Sequence, residues 1–233
     1  MIDLEVKRIS LSYNHALVVK ELSFHLESGE LVGLIGPNGC GKTSVIKALS
    51  RILPPRSGRV ILDGRDLAGF SHGDLARVVG VVPQNPSLPE TFTVTEVVLL
   101  GRNPHLGWLS SESARDLAIV RWAMEKTGVA EFAERKIGEL SGGERQRVTV
   151  ARVLAQEPKV ILMDEPTANL DISHQIAILD LMRNLCAEKK LVVLIALHDL
   201  NLAAQYCDRL ILLKKGQLYA EGKPSDVITG PNI

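Results

Sequence analysis

The sequence feature that most constrains the fold is a glycine-rich octapeptide at Gly36–Thr43, which reads GPNGCGKT. An apolar run at Leu31–Ile35 precedes it and is typical of a buried strand, whereas the apolar residues of Thr43–Leu49 recur at helical spacing. The pattern G-x-x-x-x-G-K-[ST] between a strand and a helix predicts a loop that binds phosphate groups. A glycine-rich turn that matched by chance would not be expected in this context.

Each residue type in this loop has a chemical reason to be there. Gly36, Gly39 and Gly41 allow unusual backbone angles and a close approach of the main chain to a ligand. The backbone N–H groups can then converge on an anion, helped by the positive end of the following helix. Lys42 offers a mobile charge for the outer phosphates, and the Thr43 hydroxyl suits Mg²⁺. The spacing differs from G-x-G-x-x-G, so a nicotinamide or flavin site is not expected.

Composition excludes several classes of protein. Lys plus Arg equals Asp plus Glu at 27 each, which argues against nucleic-acid binding through a basic surface. Cys40, Cys186 and Cys207 lie far apart and suggest neither a disulfide framework nor a zinc site. The apolar run Leu191–Leu197 is too short to span a bilayer, and Met1–Glu5 does not resemble a signal peptide. We therefore expect a cytosolic chain that reaches a membrane only through a partner.

Apolar runs between turn residues predict the strands. Residues 1–30 alternate weakly between apolar and polar residues, which favours short antiparallel strands with one solvated face. Arg59–Asp63 is expected to be an edge strand, and Val78–Val82, Val160–Met163 and Leu191–Leu197 are expected to be buried strands. Because helical segments separate the buried strands, the sequence predicts a parallel α/β sheet.

The middle of the chain differs in texture and predicts a helical lobe inserted into this core. Thr93–Leu100 and Ser111–Thr127 have the periodicity of amphipathic helices, and Asn103–Trp108 is expected to be a loop between them. The apolar face of the second helix is expected to comprise Leu117, Val120 and Met124.

Two carboxylates, Asp164 and Glu165, follow the strand Val160–Met163. Buried charge is costly unless it is paired or bound to a metal, although a solvated strand end is the simpler alternative. Near a phosphate loop, Asp164 suits Mg²⁺, and Glu165 suits polarising a water for attack on a terminal phosphate.

A second glycine pair opens the helix that starts near Ser141, where Leu140–Arg147 reads LSGGERQR. Ser141 and Glu144 match a capping box, which would explain them on structural grounds alone. Two glycines in the first turn of a helix are destabilising relative to alanine, however, and bare N–H groups at a helix start can bind an anion.

The segment Leu140–Gln146 resembles the signature sequence of the ATP-binding-cassette ATPases, and the resemblance covers essentially the whole chain, with the motifs in the family's order. It implies that Gln84 belongs to the glutamine loop, a contact to magnesium and water that faces the membrane partner. It implies that Glu165 is the catalytic glutamate and His198 the switch histidine. Ala168–Asp171 resembles the dimer-contact loop.

The family resemblance also implies the architecture and the site residues. The fold would be a P-loop NTPase, with a RecA-like core around a parallel sheet, an antiparallel β lobe and an inserted helical lobe. Residues 1–233 would form one nucleotide-binding domain, in which residues 86–145 are the helical lobe and residues 1–85 and 146–233 the rest. The implied catalytic residues are Glu165, His198 and Gln84. The implied Mg²⁺ contacts are Thr43, Gln84 and Asp164. The implied nucleotide contacts are Tyr13, which stacks on adenine, and Gly36, Asn38, Gly39, Cys40, Gly41, Lys42, Thr43, Ser44, Ser141, Gly143 and Asp171.

The implied function is ATP hydrolysis with Mg²⁺ that powers transport. In the family, the phosphate loop of one subunit faces the signature helix of another, so the expected partners are a second copy of the chain, integral membrane permease subunits and, indirectly, a substrate-binding protein. No nucleic acid is expected, and the location would be the inner face of the cell membrane. The stretch from Thr93 to His105 resembles the corresponding stretch in the ATPases of importers for iron complexes, haem and cobalamin. Another transport class, or a soluble assembly-type ATPase, is the alternative.

Departures from the family pattern are mild. Cys40 stands where serine is common and Asn169 where alanine is common; we expect nucleotide to shield the Cys40 thiol. Members of the family often continue a little beyond Ile233, and no added regulatory domain is expected. Five histidines match no motif and are expected to be surface or structural residues: His15, His25, His72, His105 and His174.

Overall fold

The computed structural model describes residues 3–13, 16–107, 111–167 and 170–232. Within these ranges the strands are β1 (Asp3–Tyr13), β2 (Ala16–Glu27), β3 (Leu31–Ile35), β4 (Ser57–Leu62), β5 (Arg65–Asp66), β6 (Val79–Val82), β7 (Val160–Asp164), β8 (Val192–Ala196), β9 (Arg209–Lys214) and β10 (Gln217–Gly222). The α-helices are α1 (Lys42–Leu49), α2 (His72–Val78), α3 (Val94–Leu99), α4 (Ala114–Lys126), α5 (Gly142–Ala155), α6 (Ile172–Lys189), α7 (Leu200–Tyr206) and α8 (Pro224–Val227). Short 3₁₀ helices span Leu67–Gly69, Leu100–His105, Ala130–Phe132 and Ile137–Glu139.

The core is a six-stranded sheet in the order β10-β9-β3-β8-β7-β6. Strands β9, β3, β8, β7 and β6 run parallel, and β10 pairs antiparallel to β9 at one edge. Every residue of β3, β7 and β8 is buried, as expected of strands covered on both faces. The predicted parallel α/β sheet is confirmed, and the carboxyl ends of its strands lie along one edge.

A second, antiparallel sheet has the order β2-β1-β4-β5 and confirms the antiparallel pairing predicted for the start of the chain. The expectation that Arg59–Asp63 is an edge strand is wrong. All of this segment except Asp63 lies in β4, which pairs with β1 on one side and with the two residues of β5 on the other. β5 covers this edge of β4, but it is too short to leave a strand pattern in the sequence.

Helices α3, α4 and the signature helix α5 pack together, and their buried residues join one hydrophobic cluster with residues of the central sheet. Val120 and Met124 are buried as predicted, but Leu117 is 51% exposed. Its predicted place on the buried face is wrong, because α4 instead turns Asp116 inward. The predicted loop is also partly wrong: Asn103 to His105 lie in a 3₁₀ helix, and Trp108 lies outside the described residues.

Asp116 is turned inward by Arg102, whose guanidinium is almost completely buried. Arg102 Nε donates to Asp116 Oδ1 at 2.9 Å, and Arg102 Nη1 donates to the Ala155 carbonyl at 2.7 Å and to Glu157 Oε2 at 3.0 Å. Hydrogen bonds from Ser113, and then the Arg102 guanidinium, hold the pKa of Asp116 below its ordinary value. One cation thereby ties a 3₁₀ segment to α4 and to the end of α5.

Among the described residues, no helix combines the length and the apolar character that crossing a bilayer would require.

Candidate functional site

The glycine-rich loop connects β3 to α1 at the carboxyl edge of the central sheet. Gly36 has φ 145°, and a Cβ there would lie 2.2 Å from the Leu213 carbonyl oxygen. Gly41, with φ 108°, is the N-cap of α1, and no side chain caps this helix. The positive φ angles and the close approach at Gly36 therefore require glycine, and the first N–H groups of α1 are left without a side-chain acceptor.

Lys42, the first residue of α1, is 5% exposed. Its ammonium Nζ donates to the carbonyl of Gly36 at 2.9 Å and to that of Pro37 at 3.4 Å. The side chain therefore folds back over the loop, so that the positive charge lies beside the backbone that the motif predicts to bind phosphate.

Thr43 and Asp164 bring two oxygen ligands together from α1 and the end of β7. The Thr43 hydroxyl donates to Asp164 Oδ1 at 3.0 Å. Burial raises the pKa of Asp164, the Thr43 hydrogen bond acts in the opposite sense, and the neighbouring charge of Glu165 raises it further. Among the described residues no group of three His, Cys, Asp or Glu side chains could hold a metal by itself. A pair of oxygen ligands does fit Mg²⁺, which usually keeps several waters and binds together with substrate phosphates.

Glu165 is the centre of a three-residue constellation in which β6, β7 and β8 each contribute the residues that follow the strand. Gln84 Nε2 donates to Glu165 Oε2 at 2.7 Å, and His198 Nε2 lies in close contact with Glu165 Oε1. Glu165 has φ 48°, a left-handed conformation that is costly for a non-glycine residue. Both carboxylate oxygens are therefore fixed in direction by partners from neighbouring strands.

Gln84, Glu165 and His198 border one cavity together with residues of the glycine-rich loop. The cavity has a volume of about 520 Å³, within the usual size range of a small-ligand site. Tyr13, at the end of β1, is 39% exposed there, and Lys47 Nζ lies 5.8 Å from its ring centroid. The lining residues are Tyr13, Val18, Asn38, Gly39, Gly41, Lys42, Thr43, Ser44, Gln84, Glu165 and His198. The structure thus brings most of the predicted site residues to this cavity. It adds Val18, which belongs to no sequence motif. Gly36 lines an adjacent cavity instead.

The Cys40 side chain is buried beneath the glycine-rich loop. It is 4% exposed and packs in a hydrophobic cluster with residues of β1, β2 and α1, and burial raises the pKa of its thiol. It does not line the cavity. The folded protein already shields this thiol, and further shielding by nucleotide stays a prediction.

The predicted capping box at the start of α5 is confirmed. The Glu144 N–H donates to Ser141 Oγ at 3.3 Å, and the Ser141 N–H donates to Glu144 Oε2 at 2.7 Å. Hydrogen bonds from the Ser141 backbone N–H and then from its hydroxyl to the carboxylate lower the pKa of Glu144. A Cβ built on Gly142 would meet nothing within 4 Å, and one built on Gly143 would lie 3.7 Å from the His174 ring.

Asp171 is the N-cap of α6. Its Oδ1 accepts the His174 N–H at 2.9 Å and the Ser173 hydroxyl at 2.7 Å, and the His174 imidazole Nδ1 lies 2.8 Å from each carboxylate oxygen. These hydrogen bonds lower the pKa of Asp171, the backbone N–H of His174 contributing most. His174 was expected to be only a surface or structural residue. The sequence signal that could have singled it out is its position three residues after a helix-capping aspartate.

Most of the predicted residues border the cavity, and Gly36, Cys40 and Asp164 adjoin it without lining it. Ser141, Gly143 and Asp171 form a second group at the starts of α5 and α6 and do not line that cavity. Asn169, predicted to lie in the dimer-contact loop, is outside the described residues.

Comparisons with known proteins give matches in a family model, in curated sequences and in solved structures. A family model described as ABC transporter matches residues 19–168. The petrobactin import ATP-binding protein FpuD of Bacillus anthracis is 41% identical over 225 residues, which cover 97% of this chain and 82% of that protein. The iron(3+)-hydroxamate import ATP-binding protein FhuC of Bacillus subtilis is 41% identical over 233 residues, which cover 100% of this chain and 86% of that protein. The ADP conformation of MJ1267, an ATP-binding cassette of an ABC transporter, superposes with a TM-score of 0.88 at 27% identity and covers 100% of this chain and 97% of that one.

Proposed function

Because this chain belongs to the ABC transporter family and is an ATP-binding ATPase subunit, we propose that the cavity beside Gly36–Thr43 is its ATP site and that two copies of the chain must meet to complete it. The observation that carries the proposal is the convergence of Gln84, Glu165 and His198 next to the loop and next to the Thr43–Asp164 pair.

The loop and its surroundings supply binding. The exposed face of Tyr13 offers a stacking surface for adenine at the entrance of the cavity. Lys42 holds a positive charge on two loop carbonyls, from which it can turn to the outer phosphates. Thr43 and Asp164 would hold Mg²⁺, which when bound neutralises phosphate charge.

Catalysis falls to Glu165, whose carboxylate would orient and polarise the attacking water. In the structure both of its oxygens are engaged, by Gln84 and by His198. Bound ATP would compete for these two partners, because the amide of Gln84 can contact water and magnesium and the imidazole of His198 can contact the terminal phosphate. Glu165 would then be released toward the water.

The second copy is needed because the helix start at Ser141–Gly143 does not line the cavity of its own chain. The backbone N–H groups of its two glycines offer an anion site. The open space at Gly142 lets a ligand approach the backbone. A partner chain would bring this helix start to the terminal phosphate, so ATP would favour a closed dimer and hydrolysis would reopen it.

The cargo is proposed from the relatives. FpuD and FhuC carry names that assign them to import of petrobactin and of iron(3+)-hydroxamate. We propose that this chain powers import of an iron complex, attached to the inner face of the membrane through separate permease subunits. Co-purification with a protein of many membrane spans, and loss of iron-complex uptake when Lys42 is replaced by Ala, would support this assignment; an intact uptake would contradict it.

The ATP site is tested with Glu165→Gln. The amide keeps the shape of the side chain but cannot accept the water's proton, so kcat should fall at least about 100-fold while MgATP binding is kept. Without turnover, the MgATP-bound dimer should persist and be visible by size-exclusion chromatography. Glu134→Gln changes an exposed glutamate that does not line the cavity and serves as the matched control. Wild-type turnover by Glu165→Gln would contradict the role of Glu165.

A further inference from the structure

His174 lies where the two elements of the second residue group meet. Its Nδ1 is 2.8 Å from each oxygen of Asp171, and its ring lies 3.7 Å from the position that a Cβ would take at Gly143. The Leu170 side chain approaches the same position to 3.7 Å. One imidazole is therefore hydrogen-bonded to the N-cap of α6 and lies beside the first turn of α5.

The hydrogen bonds at Asp171 define what the imidazole does. The carboxylate is an acceptor only, so the Nδ1 of His174 must carry the hydrogen. Oδ1 also receives the His174 N–H and the Ser173 hydroxyl, whereas in the described part of the chain Oδ2 is bonded by His174 Nδ1 alone. Without the imidazole, Oδ1 would keep its helix-capping bonds and Oδ2 would lose its bond from His174.

The next residue holds the segment that precedes Asp171. Gln175 Nε2 donates to the Leu170 carbonyl at 2.9 Å and to the Thr167 carbonyl at 3.1 Å. Two consecutive side chains on α6 thus hold the Asp171 carboxylate and the carbonyls of Thr167 and Leu170. The start of α6 is therefore held by hydrogen bonds from its own side chains.

We propose that His174 is a positioning residue for ATP-driven dimer closure. It holds the Asp171 carboxylate in one orientation and lies beside Gly143, so that Asp171 at the start of α6 and the first turn of α5 meet the second subunit as one surface. This role rests on the proposed function, since it requires that Asp171 and Gly143 lie at the dimer interface. His174 acts through these residues and not on the nucleotide.

The test measures the dimer dissociation constant with MgATP by analytical ultracentrifugation, in the Glu165→Gln background. Adding His174→Ala should raise that constant about tenfold, as loss of a hydrogen bond to a charged group would. Adding His174→Asn, whose amide nitrogen can stand near the place of Nδ1, should restore it to within about twofold. His25→Ala removes another histidine–carboxylate pair, 3.3 Å from Glu27 on β2, and should leave the constant unchanged.

MgATP binding to the monomer and the melting temperature separate positioning from damage to the fold; both should be the same in the His174→Asn variant and its parent. A His174→Ala variant that dimerises as tightly as its parent, or an Asn variant as weak as the Ala variant, would overturn the proposal. A Glu165→Gln parent that stays monomeric with saturating MgATP would contradict the proposed function itself, and the positioning role with it.

Discussion

The carboxylate of Asp164 illustrates, at the scale of single residues, how a functional site can oppose stability. The residue is 8% exposed, and burial disfavours its charged form. The Thr43 hydroxyl is its hydrogen-bond donor at 3.0 Å. A buried carboxyl group whose charged form burial disfavours is expected in a place where a cation binds during function.

Asp164→Asn should therefore separate stability from ligand binding. The amide oxygen can still accept from Thr43, and the cost of burying a charge disappears, so in EDTA the melting temperature should equal that of wild type or exceed it by up to about 3 °C. Saturating MgATP should raise the melting temperature of the wild type and much less that of the variant, because the ligand stabilises only a fold that binds it. Differential scanning fluorimetry measures both. Asp180→Asn, on the exposed side of α6, is the control.

A fall of several degrees in EDTA, with an undiminished response to MgATP, would show that Asp164 is a structural residue and not a magnesium contact.

Single residues were predictable from the sequence where their chemistry lies within a short motif. Lys42, Thr43, Asp164 and Glu165 are of this kind, and the structure brings all four to one edge of the sheet. Leu117 was not, because its exposure depends on Asp116 facing a buried arginine. The arginine, Arg102, is 14 positions from Asp116 in the chain, so the periodicity of the helix does not reveal it.

Among the elements, α5 shows how one sequence pattern can serve two purposes. Its capping box stabilises the helix, and its two glycines leave the first turn open. A matched element exists in α3, where Thr93 and Glu96 form a capping box of the same type without glycines. The pair of helices allows the structural contribution of a capping residue to be separated from its contribution to activity.

Ser141→Ala and Thr93→Ala should each lower the free energy of unfolding by about 1 kcal/mol, because each removes one helix-capping hydrogen bond. Only Ser141→Ala should also lower the ATPase rate, since Ser141 alone is proposed to face a nucleotide. Urea unfolding and a steady-state phosphate-release assay measure the two effects. Equal losses of activity in the two variants would show that Ser141 acts through helix stability only.

The types of the long elements could be predicted from the sequence, and their boundaries less well. The buried strands and the capping boxes carry strong local signals, so β3, β7, β8 and the start of α5 were expected where they lie. The two-residue strand β5 and the 3₁₀ helix Leu100–His105 were not, because both are shaped by neighbours in the fold. The position of His174 was not predictable either, because its neighbour Gly143 lies on α5 and comes close only in the folded protein.

At the scale of the whole molecule, the helical segment is continuous with the rest of the chain in its packing. Its buried residues belong to the same hydrophobic cluster as the residues on one face of the central sheet. The limits of the helical lobe at residues 86 and 145 stay a prediction. Because the core is shared, movement of α5 toward a partner would displace the strand ends that precede Gln84 and Glu165.

The proposed ATP site is shared between two chains. The structure offers two positions for a direct test: Asn38 is exposed and lines the cavity, and Gly142 has open space around it. Asn38→Cys and Gly142→Cys would be combined with Glu165→Gln in one chain, and the three natural cysteines are buried and should react little.

Equal amounts of ¹⁴N- and ¹⁵N-labelled chains are mixed with MgATP and treated with a flexible bismaleimide, and peptides that join positions 38 and 142 are weighed by mass spectrometry. If the site forms between copies that pair at random, about half of these cross-links should join one light and one heavy chain, and they should require MgATP. If every such cross-link lies within a single chain, or if light–heavy pairs form equally without MgATP, the claim of a shared site is contradicted.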